Sequence, residues 1–207
     1  MKIISLFGAK HGVGTSTTAA LLYAGHPDKA LLIAHDAGDV RMLLGMFRPE
    51  DEDVANIDSD KFVPQWDQRV LSFDNTRTPR QSHLRTALFS TNAEFIIMDW
   101  GTTFPTVGTP VCMLDNSYLT LYRTKRMPPE QEASIWKFVC LLDRTRALTS
   151  HDVEAVAGPD VIFLDRDSSV MRSSDAGLLA LRSPQHTTKP IHKLLEDTPT
   201  CSFSSTR

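Results

Sequence analysis

Short apolar runs alternate with segments of a different pattern along most of the chain. Such runs are too short for a buried helix and are typical of parallel strands covered on both faces. The segment 16–24 is instead rich in Ala and Leu, and Pro128 and Pro129 suit the first turn of a helix. The pattern predicts strands at 2–7, 30–34, 69–73, 95–98, 118–122, 137–142 and 161–164. It predicts helices at 16–24, 79–91, 152–157, 168–181 and 191–196, and one that begins near 128–130.

This alternation of strands and helices predicts an α/β fold: a doubly wound, mostly parallel sheet with helices on both faces. A length of 207 residues suits one domain with a full hydrophobic core and is short for two. We expect a single domain over residues 1–198. Residues 49–68 are acidic and aperiodic, which predicts a loop, and the polar tail 199–207 is expected to be disordered.

Composition and charge narrow the class of protein. An apolar fraction of 41% and a charged fraction of 23% are ordinary for a globular protein, and a net charge of -3 provides no general attraction for nucleic acid. The three cysteines have no metal-ligand spacing and suit reduced thiols in a cytosol. The N-terminus lacks the apolar stretch of a signal peptide, and no run approaches the roughly 18 to 20 apolar residues of a membrane span. We expect a cytoplasmic protein.

Residues 8–17, with the sequence GAKHGVGTST, join the first predicted strand to the first predicted helix. Glycines at such a junction let backbone N–H groups turn towards one anion, and the helix dipole adds to the attraction. A Ser or Thr hydroxyl that opens the helix can ligate Mg²⁺. The general phosphate loop G-x-x-x-x-G-K-[ST] does not match, because Ala9 stands at its first Gly and Thr15 at its Lys.

The loop resembles the variant K-G-G-x-G-K-[ST]-[ST] of the ParA/MinD family of P-loop ATPases. Lys10 falls on the early signature lysine of that family, and Ser16 falls on its Mg²⁺ ligand. Gly12 and Gly14 match its glycines. His11 replaces a further glycine, and the later lysine is missing.

Three further segments resemble the same family in the same order. Residues 31–39 resemble its second-strand segment LLID-x-D-PQG and place Asp36 on the second Asp. Residues 95–101 resemble the hydrophobic strand and Asp of the Walker B and switch II region. Residues 137–177 resemble the distal half of MinD-like proteins of the pilus-assembly (CpaE) type, and Asp143 stands at their Asn.

The resemblance implies a site for ATP or ADP with Mg²⁺. The implied nucleotide-binding residues are Lys10, His11, Gly12, Val13, Gly14, Thr15, Ser16, Thr17 and Asp143. In the family the signature lysine crosses a nucleotide-sandwich dimer to touch the partner's phosphates, a role that falls on Lys10. Asp36 would polarise or position the attacking water, which makes Lys10 and Asp36 the implied catalytic pair. Ser16 would bind the Mg²⁺, and Asp99 would hold the Mg²⁺ shell through water.

Each of these residues also has a purely structural interpretation. Gly12 and Gly14 are compatible with a plain turn, and Lys10 with a solvent-facing loop. Ser16 is also a favoured N-cap, and an Asp at a strand end often caps the next turn. His11 and His35 are more simply exposed loop histidines than a catalytic pair, because nothing in the sequence places them together.

Loss of the later lysine removes one charge-assisted contact to the phosphates, worth about 1.5 to 3 kcal/mol or roughly 10- to 150-fold in affinity. Phosphoryl transfer depends on positive charge, so we expect residual nucleotide binding with weak, slow or absent ATP hydrolysis. The first hypothesis is an ATP-dependent dimerising switch that positions DNA or a protein assembly. The second is a catalytically inactive P-loop pseudo-ATPase that acts as a dimeric binding module. A third, a metabolic P-loop kinase or synthetase, requires an acceptor site that the sequence does not indicate.

The partners that the resemblance implies are a second copy of the chain, nonspecific DNA and an adaptor protein that stimulates turnover. Basic residues concentrate in the second half of the chain, where they form either a DNA-binding surface or a solvated face. These residues are Arg123, Lys125, Arg126, Arg144, Arg146, Arg166 and Arg172. Residues 189–195 have too few apolar residues and too small a basic face for a membrane-targeting helix, so no stable membrane anchor is expected.

Overall fold

The computed structural model describes residues 2–46, 57, 69–74, 76–176 and 185–200. The predicted loop at 49–68 lies outside the described residues except for Ile57, and so do residues 201–207 of the predicted tail. Thr200, within that tail, forms an isolated antiparallel bridge with Lys2. Among the described residues no helix is long and apolar enough to cross a membrane.

Strands and helices alternate along the described chain. The strands are β1 (Lys2–Gly8), β2 (Ala30–Ala34), β3 (Val70–Ser72), β4 (Phe95–Asp99), β5 (Thr109–Asp115), β6 (Lys137–Leu142) and β7 (Ile162–Asp165). The helices are α1 (Thr15–Gly25), α2 (Ala37–Leu43), α3 (Gln81–Thr91), α4 (Tyr118–Lys125), α5 (Pro129–Ser134), α6 (Ser150–Ala157), α7 (Ser168–Asp175) and α8 (Gln185–Asp197).

The seven described strands form one sheet in the order β3-β2-β4-β1-β5-β6-β7, and every pairing between them is parallel. Successive side chains of a strand point to opposite faces, and both faces of this sheet carry a hydrophobic core. The core on one face contains residues of α1, α2, α7 and α8, and the core on the other contains residues of α3, α4 and α6. The predicted doubly wound α/β fold is confirmed, and the sheet is wholly parallel where we expected it to be mostly so.

Most predicted elements are confirmed, and one prediction is wrong. Residues 118–122 alternate aromatic, aliphatic and β-branched side chains and were expected to form a strand, but they begin α4. The side chain of Ser117 accepts a hydrogen bond from the Thr120 amide at 3.4 Å, which caps the helix and outweighs local strand propensity. The strand of this region is β5, which the sequence pattern did not reveal because Pro110, Cys112 and Met113 weaken its strand signal.

Two helices differ in extent from their predictions, and a third was not predicted. Helix α7 ends at Asp175, and residues 177–181 of its predicted continuation lie outside the described residues. Helix α8 starts at Gln185, before the predicted start at 191, and it contains Pro190 in its interior although proline disfavours that position. Helix α2 is short and begins directly after Asp36, which caps it by accepting a hydrogen bond from the Asp39 amide at 3.3 Å.

Candidate functional site

The loop of residues 8–17 lies at the carboxyl edge of the sheet, where β1 ends between β4 and β5. The Gly8 amide donates to the Gly101 carbonyl at 2.7 Å, and the Ala9 amide donates to the Met113 carbonyl at 3.1 Å. The chain therefore leaves the central strand tied to both neighbouring strands. Crevices at such positions are where open α/β sheets bind ligands.

The backbone of the loop depends on glycine at two positions. Gly12 has φ 77° and Gly14 has φ 88°, both in the left-handed region that disfavours other residues. Gly14 is the N-cap of α1 and has no side chain that could cap this helix end. The first amides of α1 thus have no acceptor from their N-cap residue, which suits the binding of an anion at a helix N-terminus.

Two cavities lie on either side of this loop and share Gly12, Gly14 and Thr17. The polar cavity has a volume of about 390 Å³. Its lining consists of Lys10, His11, Gly12, Gly14, Thr15, Ser16, Thr17, His35, Asp36, Asp39, Gly101 and Thr102. The second, which we call the apolar cavity, has a volume of about 240 Å³ and is lined largely by aliphatic side chains, with Asp115, Asp165, Arg166 and Asp167 at its polar side.

Lys10 is held by an acidic side chain that the sequence interpretation did not single out. Its Nζ lies 3.2 Å from Oδ2 of Asp115, and Arg146 contacts the same oxygen at 3.1 Å. Burial of Asp115 favours the neutral acid, but hydrogen bonds from Ser117, Thr120 and Lys10 outweigh it and lower its pKa to about 2. Asp115 is therefore a carboxylate that fixes the direction of the Lys10 side chain.

Asp99 ends β4 and is 1% exposed. Its Oδ1 accepts a hydrogen bond from the Gly101 amide at 3.0 Å, and its buried Oδ2 has no hydrogen-bond partner among the described residues. Burial raises the pKa of Asp99, and Ser16 and the Gly101 amide oppose this shift. An unpartnered carboxylate oxygen beside a hydroxyl suits a hard cation such as Mg²⁺, so these two residues fit the ion that the resemblance implies.

The second predicted catalytic residue, Asp36, lines the polar cavity, and it also caps α2. His11 and His35 are both exposed, as the simpler interpretation expected, yet the structure brings both to the wall of this cavity. Thr15, at the place of the missing lysine, is 8% exposed, and its hydroxyl lies only 2.8 Å from where a Cβ of Gly8 would stand. The Thr15 side chain is thus packed against the end of β1.

Asp143 does not line either cavity, and its carboxylate is already engaged. It accepts hydrogen bonds from the Thr145 amide and hydroxyl at 3.0 and 2.6 Å. It also pairs with Arg146 at 3.6 Å and with Arg166 at 3.3 Å. These contacts make Asp143 an organiser of the loop after β6, and Arg166 is the nearby side chain that reaches the apolar cavity.

Asn116 is a structural residue of the site that the sequence interpretation missed. It is 1% exposed, and its amide nitrogen donates to the carbonyls of Asp143 and Leu148 at 2.8 and 2.6 Å. Its amide oxygen accepts from the Asp143 backbone at 2.9 Å. Asn116 therefore ties the end of β5 to the loop after β6. The available signal was the polar run of residues 115–117 directly after an apolar run.

The arrangement of a glycine loop between a central parallel strand and a helix, with an acidic strand end beside it, defines a P-loop NTPase fold. Comparison with solved structures identifies the type of P-loop NTPase fold more specifically. MinD cell division protein from Aquifex aeolicus has a TM-score of 0.67 and 14% identity, covering 98% of this chain and 100% of its own. A ParA family ATPase from Chlorobium tepidum TLS has a TM-score of 0.60 and 19% identity, covering 94% of this chain and 97% of its own.

A third similar structure is a variant of McdA from Cyanothece in complex with ATP, with a TM-score of 0.64 and 13% identity. It covers 98% of this chain and 99% of its own. The sequence matches no model of a known protein family and no curated protein. The chain thus has the ParA/MinD-type fold, as the resemblance predicted, and identities this low show the fold alone.

Proposed function

We propose that this chain is an ATP-binding switch of the ParA/MinD kind that dimerises with nucleotide, positions DNA or a protein assembly, and hydrolyses ATP slowly. The observation that carries the proposal is the meeting of two cavities at Gly12 and Gly14, where α1 presents uncapped amides. Together the cavities fall within the roughly 300 to 1,000 Å³ typical of ligand sites. One of the similar structures is an ATP complex, which supports the choice of nucleotide.

The two cavities differ in chemistry, which suggests how a nucleotide would lie. The apolar cavity, with Leu21, Leu141 and Leu164 in its wall, suits a base and ribose. The polar cavity, at the N-terminus of α1, suits the polyphosphate. Mg²⁺ bound to Ser16 and Asp99 would neutralise part of the phosphate charge. Val13 is 1% exposed and anchors the loop in the core below the phosphates.

The charge of the polar cavity supports slow turnover. Among the described residues that line it, Lys10 is the one Lys or Arg, and it is paired with Asp115. Asp36 and Asp39 add negative charge at the same wall. Because phosphoryl transfer needs positive charge around the transferred group, such a site binds nucleotide better than it stabilises the transition state. Asp36 would position the attacking water.

The second candidate function is a pseudo-ATPase that keeps the fold and the dimer face without turnover. Two observations favour it: Thr15 is packed against Gly8, and the Lys10 ammonium is already bound to a carboxylate. Light scattering with and without ATP separates the candidates. A shift from monomer to dimer that requires ATP supports the switch, and the same mass in both conditions supports the pseudo-ATPase.

The remaining expectations about partners and setting belong to this proposal. In a nucleotide-dependent dimer, Lys10 would leave its own Asp115 and reach the phosphates bound to the second copy. DNA or a protein assembly would be the cargo, and an adaptor protein would stimulate turnover. We propose a single domain over residues 1–198 that acts in the cytoplasm without a stable membrane anchor.

Calorimetric titration with Mg²⁺ and ATP or ADP tests the nucleotide site. We expect binding by the natural chain, weaker binding by Lys10→Ala, and binding about 10- to 150-fold tighter by Thr15→Lys. Lys29→Ala is the matched control, because Lys29 is exposed and pairs with Glu94 outside the cleft. Thermal unfolding of Thr15→Lys checks that the buried position tolerates the longer side chain. If no folded variant binds either nucleotide, the proposal is wrong.

A further inference from the structure

Helix α4 carries a ladder of planar side chains along one face. Tyr118 and Tyr122 lie one turn apart, with ring centroids separated by 6.1 Å and ring planes 23° apart. The guanidinium of Arg126 follows after the next turn, 4.8 Å from the centroid of the Tyr122 ring. Tyr122 is 43% exposed and lies between Tyr118 and Arg126, whereas Tyr118 is 75% exposed, so the end of the ladder at Tyr118 is open to a ligand.

The same helix end concentrates positive charge. Arg123, Lys125 and Arg126 are exposed, and none forms an ion pair with an acidic group among the described residues. The sequence of α4, YLTLYRTK, contains no acidic residue. This local positive charge is opposite in sign to the net charge of -3 of the whole chain.

Other basic residues of the second half differ from these in their surroundings. Arg144 pairs with Asp165 at 2.9 Å, and Arg146 and Arg166 are bound to carboxylates at the end of the sheet. Of the basic residues that the sequence grouped together, Arg144, Arg146 and Arg166 are therefore neutralised by carboxylates around the cleft. The three cations at α4 are not, and they lie together, whereas Arg172 lies apart from them on α7.

The opposite side of α4 is firmly anchored. Thr120, Leu121 and Thr124 are buried, the Thr120 hydroxyl donates to Asp115, and the Thr124 hydroxyl donates to the Thr120 carbonyl at 2.9 Å. The exposed ladder is thus held on a fixed helix and loses little freedom when it binds a ligand. Rigid aromatic side chains of this kind give contact area at a low cost in conformational entropy.

We propose that α4 binds single-stranded nucleic acid through a surface formed by Tyr118, Tyr122, Arg123, Lys125 and Arg126, which we call the α4 platform. An unpaired base stacks on the open face of Tyr118, which Tyr122 supports from behind, and the three cations contact neighbouring phosphates. Exposed bases are needed because a duplex hides the faces of its bases inside the stack. The inference concerns a surface separate from the two cavities and does not depend on nucleotide binding.

The charge of the α4 platform favours nucleic acid over a second copy of this chain. A protein interface that covered Arg123, Lys125 and Arg126 would have to supply acidic partners or leave cations buried without one, which is costly. A polyanion supplies a phosphate for each.

Fluorescence anisotropy with a labelled oligothymidylate, without ATP or ADP, tests the proposal on the full chain. We expect binding at low salt with a slope of about -2 in log K against log salt, as three phosphate contacts to a single strand predict. Tyr118→Ala and Tyr122→Ala should each weaken binding by about 5- to 150-fold, and Tyr118→Phe should retain it. Lys125→Gln should reduce the steepness of the slope by about 0.7.

Matched controls separate stacking from general effects. Phe89→Ala removes an aromatic ring that is 80% exposed on α3, and Lys193→Gln removes an exposed cation from α8; neither should change binding. Inorganic polyphosphate, which has charge without bases, should bind more weakly and be indifferent to the tyrosine substitutions. Circular dichroism of each variant confirms that it is folded.

Three outcomes of the binding assay, and one of light scattering, would overturn the proposal. These are absence of oligothymidylate binding at low salt, equal losses in Phe89→Ala and Tyr118→Ala, and tighter binding of an equivalent duplex. If Tyr118→Ala instead changes the oligomeric state in light scattering and leaves oligothymidylate binding unchanged, α4 is a contact between copies and the proposal fails. Because the anisotropy assay contains no ATP or ADP, a negative result in the ATP titration leaves this test unaffected.

Discussion

Lys10 and Asp115 form an ion pair that joins the loop after β1 to the end of β5, with 3.2 Å between Nζ and Oδ2. The two side chains are 19% and 9% exposed, so the pair is partly shielded from solvent. The ammonium that the family resemblance assigns to phosphate is thus bound to a carboxylate of its own chain. A polyphosphate would have to compete with Asp115 for Lys10.

This competition predicts that Asp115→Asn raises the affinity for ATP. The amide keeps the shape of the carboxylate, and its oxygen retains an acceptor for Ser117 and Thr120, but the negative charge is removed, so Lys10 is freed for the phosphates. We expect an increase of up to about tenfold, since a charge-assisted hydrogen bond is worth about 1.5 to 3 kcal/mol before solvent screening. Calorimetry measures it. Glu94→Gln is the control, because it removes an equal charge from the exposed pair with Lys29, and unchanged affinity in both variants would contradict the prediction.

Asp115 also predicts how the fold responds to acid. Its pKa of about 2 lies below the ordinary value of 3.8, because hydrogen bonds to the carboxylate outweigh its burial. A carboxyl group whose pKa is lowered by folding stabilises the fold at pH values above its ordinary pKa, and this stability is lost as the pH falls towards 2. The loss is on the order of 2 kcal/mol. Urea unfolding between about pH 5 and pH 2 measures it, and Asp115→Asn should show a shallower decline. A decline as steep as that of the natural chain would argue against Asp115 as its source.

His26 predicts a second, separate dependence on pH. Burial lowers its pKa below the ordinary 6.5, and His192 and Lys29 lower it further, while Glu196 and Glu94 oppose them. The rings of His26 and His192 lie 4.9 Å apart, and the Nε2 atom of each is buried without a hydrogen-bond partner among the described residues. A histidine that the fold keeps neutral stabilises the fold at pH values above the ordinary pKa of histidine. This stability falls as the pH drops below that pKa. The unfolding free energy should therefore decrease from about pH 7 to pH 5.

His26→Phe should flatten this decrease, because the ring contact to Phe95 persists and the proton-binding site is gone. Hydrogen exchange should show the pH effect mainly at the contact between α1 and α8, where His192 lies. His151→Phe, at an exposed position of α6, serves as the control and should leave the pH profile unchanged. An equally steep decrease in His26→Phe would exclude His26 as the source.

Gly12 and Gly158 form a matched pair for testing the loop. Gly12 has φ 77°, Gly158 has φ 87°, and a Cβ at either would meet nothing within 4 Å. Each substitution by Ala should cost about 1 to 3 kcal/mol of stability because of the positive φ alone. Only Gly12→Ala should also weaken nucleotide binding, because it distorts the amides beside both cavities. Urea unfolding and calorimetry measure the two effects, and full ATP affinity in Gly12→Ala would mean that the phosphates lie elsewhere.

The confirmed strands show what a local pattern can predict. Residues 30–34 and 95–98 are continuous apolar runs, and a run of this length is stable only where both sides are covered, so the parallel sheet follows from it. Strand β5 has the same burial but a weaker pattern, and residues 118–122 have a strand pattern inside a helix. In both places the contacts made after folding outweigh the propensity of the segment.

The candidate site likewise has one part that the sequence predicts and another that depends on the tertiary structure. The glycine loop is contiguous, so its composition and its place between a strand and a helix were readable from the chain. Asp115 and Asn116 contact the loops after β1 and β6 because β5 lies between these two strands. No single segment of the sequence predicts that order of strands. The engagement of Lys10 by Asp115, and the separation of the α4 cations from those of the cleft, follow from that order.

For this protein, the sequence by itself determined the class of fold, the boundaries of most strands and the position of the phosphate-loop-like turn, since burial periodicity and glycine geometry are local properties. Only the tertiary structure decided which side chains face that turn, which cations are neutralised and which helix face stays open. Those properties depend on Coulomb interactions and packing between residues distant in the chain, which are set when the strands assemble.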